Sequence, residues 1–156
     1  MSKYKKKILI ATGGTGGHVF PAYSLSEFFK KNDYKVELIT DKRGYKFLKD
    51  YKNLKLKIID SATIFTKNPF NLVISFLKIF LAFLKSIKFL YEFKPDLVFG
   101  MGGYSSFPIC IAAKIIGIPF IIYENNLIIG KTNQFLLPLS YKIFVSYPNL
   151  KGINKK

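Results

Sequence analysis

Cysteine, histidine and arginine each occur once in this sequence of 156 residues, and acids are scarce, nine against 25 lysines plus arginines. A single cysteine, Cys110, excludes an intrachain disulfide or a paired-cysteine metal site, which suits a reducing cytoplasm. One histidine, His18, excludes a histidine cluster, and no Asp-x-Asp pair is present to hold a sugar nucleotide through a metal. Only Arg43 is an arginine, whereas phosphate-reading nucleic-acid surfaces favour guanidinium forks over lysine point charges. No basic-aromatic nucleic-acid motif appears either. The net charge of +16 therefore reads as a solvated lysine surface or an attraction to anionic membrane, and not to nucleic acid. The start is basic, but the apolar run that follows covers only residues 8–11, too short for a signal-peptide core, so a cytoplasmic location is expected.

What is present is ample apolar material, 49% of the chain, enough for one packed core. Short apolar runs at 8–11, 36–40, 56–59, 97–100, 120–123 and 142–145 read as strands, with helices over about 18–31, 71–93 and 108–116. The runs are continuous and not alternating, which implies a sheet buried on both faces: an α/β, doubly wound parallel sheet of Rossmann-like type. Residues 1–150 read as one such domain, and 151–156 as a linker cut short.

Two glycine loops carry the strongest signal. Gly13-Gly14-Thr15-Gly16-Gly17-His18-Val19-Phe20-Pro21 lies between a strand and a helix, where exposed amides beside a helix N-terminus suit an anion. Its spacing is neither GxGxxG nor a P-loop. Gly100-Met101-Gly102-Gly103-Tyr104-Ser105 repeats the arrangement, and both loops would line one crevice at the carboxyl edge of a parallel sheet. His18, opening a helix, is expected to stay neutral and able to take a proton. Glu124-Asn125-Asn126 follows a strand and faces the same crevice; Asp41, after the second strand, stands where an acid often meets a ribose, and Asp96 starts a strand.

The helix over 71–93 is long enough to span a bilayer, but Lys78, Lys85 and Lys88 interrupt it, so spanning is not expected. On a helical wheel the lysines gather on one side together with Ile74, Leu81 and Phe89, while Phe76, Phe80, Phe83, Ile87 and Leu90 gather opposite. This fits either a core helix or one lying in a membrane interface.

These loops, in this order and separation, resemble the MurG family, glycosyltransferases of family 28 that move GlcNAc from UDP-GlcNAc to lipid I, forming lipid II in peptidoglycan synthesis. Residues 13–21 match the first glycine loop, 100–104 the second and 123–126 a His-Glu-Gln-Asn segment, with Gly130, Thr132 and Asn133 continuing the match. Tyr123, Asn125 and Leu127 depart from it, Leu127 replacing a usual glycine. The resemblance implies the amino-terminal, acceptor-side half of a GT-B enzyme without its donor-binding domain, which is absent or on another chain. It implies inverting transfer without metal or cofactor, at the inner face of the plasma membrane. It places Thr15, Gly16, Gly17 and Asn126 at the donor; Gly13, Gly14, Gly102, Gly103, Tyr104 and Asn133 at the acceptor; and His18 or Glu124 as the base. Two other readings fit the residues: the membrane-docking subunit of a split transferase, or a non-catalytic module for polyprenyl-pyrophosphate lipids.

Overall fold

A computed structural model describes residues 5–51, 54–62 and 69–153. Six strands, β1 (Lys7–Ala11), β2 (Lys35–Thr40), β3 (Leu56–Ile58), β4 (Leu97–Gly100), β5 (Phe120–Glu124) and β6 (Lys142–Val145), alternate with five helices. These are α1 (Gly16–Lys31), α2 (Lys42–Leu48), α3 (Pro69–Phe93), α4 (Ser106–Ile115) and α5 (Lys131–Leu136). All strand pairings are parallel, in the order β3-β2-β1-β4-β5-β6. The chain thus leaves β1 towards one edge, then crosses to β4 and proceeds towards the other. Right-handed crossovers put α1 and α2 on one face and α3 to α5 on the other. The doubly wound parallel sheet expected from the continuous apolar runs is what forms.

The core follows from those runs. Leu9, Ala11, Val98, Ile122 and Cys110 join Phe89, Leu90 and Phe93 on the α3–α4 face. Ile8, Ile10, Leu38, Phe99 and Ile121 meet Val19 and Ala22 of α1 on the other. Asp96, read as a strand opener, accepts the Lys7 amide at 2.7 Å and pins the entry of β4 to that of β1. The sequence did not announce α2 or α5, which are short and carry little apolar periodicity.

Helix α3 departs from the wheel reading in a specific way. Its buried side chains are Ala82, Ser86, Phe89, Leu90 and Phe93, all in the second half and packed with α4. Phe89, expected among the interfacial residues, is therefore a core residue at 8% exposure. Phe76 and Phe80, on the side that a core helix would bury, are 66% and 49% exposed, because the first half of the helix runs beyond the elements that would cover it. Ile74, Leu77, Leu81 and Leu84 are exposed as well. By length and composition alone Phe70–Phe93 is apolar enough to cross a membrane. Its second half, however, builds the domain's core, and lifting it out would expose Phe89, Leu90 and Phe93 at about 1.5–3 kcal/mol each.

Candidate functional site

Strands β1 and β4 are neighbours at the point where strand order reverses, so the loops that follow them meet at the carboxyl edge of the sheet. They meet backbone to backbone. A Cβ on Gly103 would run into the Gly13 carbonyl, and one on Gly13 would run into Ser105. Gly14, Gly102 and Gly103 also hold φ of +85°, +88° and +80°, a region L side chains disfavour. Gly102 leaves room for the imidazole of His18, since a Cβ there would lie 2.8 Å from its Cε1. The glycines of the second loop are thus spaces cut to fit the first.

Around this junction lies a cavity of about 230 Å³. Gly13, Gly14, Thr15, His18, Gly102, Gly103, Tyr104, Glu124, Gly130, Thr132 and Asn133 line it, so eleven of the residues singled out from the sequence converge there. Gly16, Gly17 and Asn126 are not among the residues that line it. Arg43 and Lys131 also line the cavity and were not foreseen as site residues, nor was the tie that brings Arg43 there. The available signal was that the sole arginine stands two residues after the acid that follows β2.

That acid is not free for a ribose. Asp41 caps α2, accepting the Gly44 amide at 2.7 Å and the Gly14 amide at 3.2 Å, while its other oxygen takes the Arg43 guanidinium at 2.9 Å. Burial pushes its carboxyl up, but these donors outweigh it and hold the group below the ordinary carboxylate range. Asp41 therefore fastens the first glycine loop and aims Arg43.

Glu124 is 1% exposed and its carboxylate is fully engaged. One oxygen accepts the Asn126 amide at 3.1 Å and its side-chain Nδ2 at 2.7 Å. The other accepts the Gly130 amide at 2.8 Å and Asn133 Nδ2 at 3.0 Å. Asn133 further bonds the Tyr123 carbonyl at 2.9 Å. One buried carboxylate so folds the whole loop from 125 to 133 around itself. Leu127, where the resemblance has glycine, is 55% exposed and does not sit at positive φ, so the loop accommodates it without strain.

A third tie joins this loop to α1. Pro21, inside the helix, has no N–H to offer the carbonyl four residues earlier. That carbonyl, of Gly17, takes the side-chain amide of Asn125 instead. Thr15, the N-cap of α1, makes no side-chain cap and the first turn holds no acid, so the amides at this helix start meet no competing anion from the chain's own side chains. His18, in that turn, is half-buried. Burial lowers its pKa, opposed by the nearby Glu124 charge and the Met101 backbone, and the net shift is downward. Desolvation thus favours the neutral imidazole. Among the described residues no three of His, Cys, Asp or Glu gather as a metal site needs.

Comparison with known proteins fits this geometry. Residues 8–145 match the glycosyltransferase family 28 N-terminal domain. The UDP-N-acetylglucosamine–N-acetylmuramyl-(pentapeptide) pyrophosphoryl-undecaprenol N-acetylglucosamine transferase of Rickettsia bellii is 38% identical over 148 residues, which is 95% of this chain and 40% of that protein. Its counterpart from Rickettsia canadensis is 36% identical with the same coverage. The chain thus spans about two fifths of the length of these relatives. The crystal structure of Acinetobacter baumannii MurG superposes with a TM-score of 0.80 at 28% identity, over 97% of this chain and 44% of that one. The UDP-GlcNAc 2-epimerase of Neisseria meningitidis, at 20% identity and a TM-score of 0.64, covers 92% of this chain and 40% of its own and shares the fold alone.

Proposed function

The chain belongs to the family of glycosyltransferase family 28 N-terminal domains, and from that premise we propose that it is the acceptor-side half of an inverting N-acetylglucosaminyltransferase. In this reading GlcNAc passes from UDP-GlcNAc to lipid I to give lipid II, at the cytoplasmic face of the membrane. The observation that supports it best is the junction of the two glycine loops over His18. It offers uncapped amides at the start of α1 for a phosphate and a neutral base a few ångströms away.

The chemistry needs one bond made and one broken. The acceptor's sugar hydroxyl attacks the anomeric carbon from the side opposite the leaving group, and UDP departs with the bonding pair. His18 takes the hydroxyl proton, which a neutral imidazole does without first losing one. Glu124 is the poorer base, because four donors already occupy its two oxygens. Its part is to position Asn126, Gly130 and Asn133. The Thr15–Gly17 amides lie on the donor side, while the second loop with Tyr104 and Asn133 lies on the acceptor side. Membrane docking belongs to the exposed apolar half of α3.

The reading is tested by supplying what the longer relatives have in addition. The chain joined to the remaining three fifths of the Rickettsia bellii relative is expected to make a lipid II analogue from UDP-GlcNAc and a lipid I analogue. The chain alone, offered the same substrates, is expected to make none. A joined protein that folds and binds UDP-GlcNAc yet transfers nothing would overturn the reading, as would turnover by the chain alone.

A further inference from the structure

A second cavity, of about 560 Å³, adjoins the first and shares two wall residues with it, Arg43 and Tyr104. Its other wall is α3, which presents Ser75, Lys78, Leu81, Ala82 and Lys85 along one stripe, and Lys42, Asp41, Asp60 and Ser61 close it opposite. The charges within it do not balance. Asp41 is spent on Arg43 at 2.9 Å, and Asp60 on Lys42 at 3.1 Å. Lys78 and Lys85 have no ion-pair partner among the described residues, which leaves two positive charges facing the space. Ser61 Oγ is buried without a hydrogen-bond partner at the same wall.

The surroundings say what kind of anion fits. At 100° per residue the Lys78–Lys85 stripe falls between the buried face of α3 and the face bearing Phe70, Ile74, Leu77, Leu81 and Leu84, all exposed. Leu81 belongs to both the cavity and that apolar face. A path therefore runs from exposed apolar helix, past two unpaired lysines and Arg43, over Tyr104, to the glycine-loop junction. The first loop is a weaker seat for phosphate at Gly14, whose amide is already taken by Asp41.

We infer that this second cavity holds the diphosphate of an isoprenoid-linked substrate, gripped by Lys78, Lys85 and Arg43, with the isoprenoid chain on the apolar face of α3 and the sugar beyond Tyr104. The inference rests on the acceptor reading above and adds where the diphosphate sits. Lys78 and Lys85 are then substrate ligands within a built pocket, a different role from general attraction to an anionic surface.

The test uses the chain itself and farnesyl diphosphate as the probe, with inorganic diphosphate and farnesol alongside, followed by calorimetry. Farnesyl diphosphate is expected to bind, and the paired change Lys78→Gln and Lys85→Gln to weaken it about 10- to 100-fold, as loss of charged hydrogen bonds does. Lys88→Gln, on the same helix but outside the cavity, is expected to change nothing, and Lys78→Arg with Lys85→Arg to restore binding. Farnesol binding is expected to ignore all these changes. Undiminished binding of farnesyl diphosphate to the double glutamine variant would overturn the inference while leaving the acceptor reading in place. Inorganic diphosphate binding as tightly as the farnesyl form would also overturn it, since the site would then take a free anion. Failure of farnesyl diphosphate to bind the unaltered chain would overturn both.

Discussion

At the scale of single residues, two side chains that look alike as candidates have opposite surroundings. His18 is half-buried with a ring nitrogen, Nδ1, buried and unpartnered, whereas every oxygen of Glu124 is taken. In the joined enzyme His18→Ala is expected to lower kcat by about 10²- to 10⁴-fold with KM for UDP-GlcNAc nearly unchanged. A thermal melt of the same variant guards against a merely structural role; a collapsed Tm with normal kcat in the folded fraction would dismiss the base. His18 also sets a pH dependence. Its folded pKa lies below the ordinary 6.5, so the unfolded chain binds the proton first as pH falls. Stability is then full above about pH 6.5 and declines below it, and His18→Gln is expected to flatten that decline in a series of melts. Glu124→Gln turns an acceptor-only group into one that opposes its donors. We expect about 2–4 kcal/mol of lost stability and raised KM, from chemical denaturation and kinetics together. An unchanged denaturation midpoint with a fallen kcat would instead make Glu124 the base.

At the scale of elements, α3 is one helix with two environments. Its second half is core and its first half is exposed apolar surface, so the halves should respond differently. Changing Phe76, Leu77 and Phe80 to serine is expected to abolish co-sedimentation with anionic vesicles while leaving the melt intact. Leu90→Ala is expected to cost about 2–5 kcal/mol and leave vesicle binding alone. Persistent binding by the triple-serine variant would place the docking surface elsewhere. The sequence made the helix legible, since 25 residues of apolar periodicity admit little else, but not which half was covered. A wheel assumes one environment along the whole length, and here the neighbours end midway. The sheet was legible for a related reason, because a strand buried on both faces cannot hide its apolar run. The glycine loops and His18 were legible through composition. Arg43 was not, because its place depends on Asp41 turning back to cap α2 and reach Gly14, a contact across 27 positions. The Gly17–Asn125 tie was hidden likewise, although Pro21 marked the carbonyl that would need it.

At the scale of the whole molecule, the site is assembled from segments far apart in the chain. Gly13 and Gly103 touch across 90 positions, and β1 and β4 must pair before they do. Consider the order in which this happens as the protein folds. Helices form within about a microsecond, but closing a parallel pairing over so long a loop must first meet its entropy. The crevice is therefore expected to be completed late in folding, after α3 has formed. Cys110 offers a clock for this, being a buried thiol in the cluster that also contains Leu9 and Ala11. In refolding from denaturant, far-ultraviolet helical signal is expected early, with protection of Cys110 from a pulsed thiol reagent in a distinctly slower phase. Simultaneous recovery would mean that sheet and helices condense together. If the slow phase is real, the nascent chain passes through an interval in which it carries a sticky helix and no finished site, so a membrane or a chaperone has the first chance to meet it.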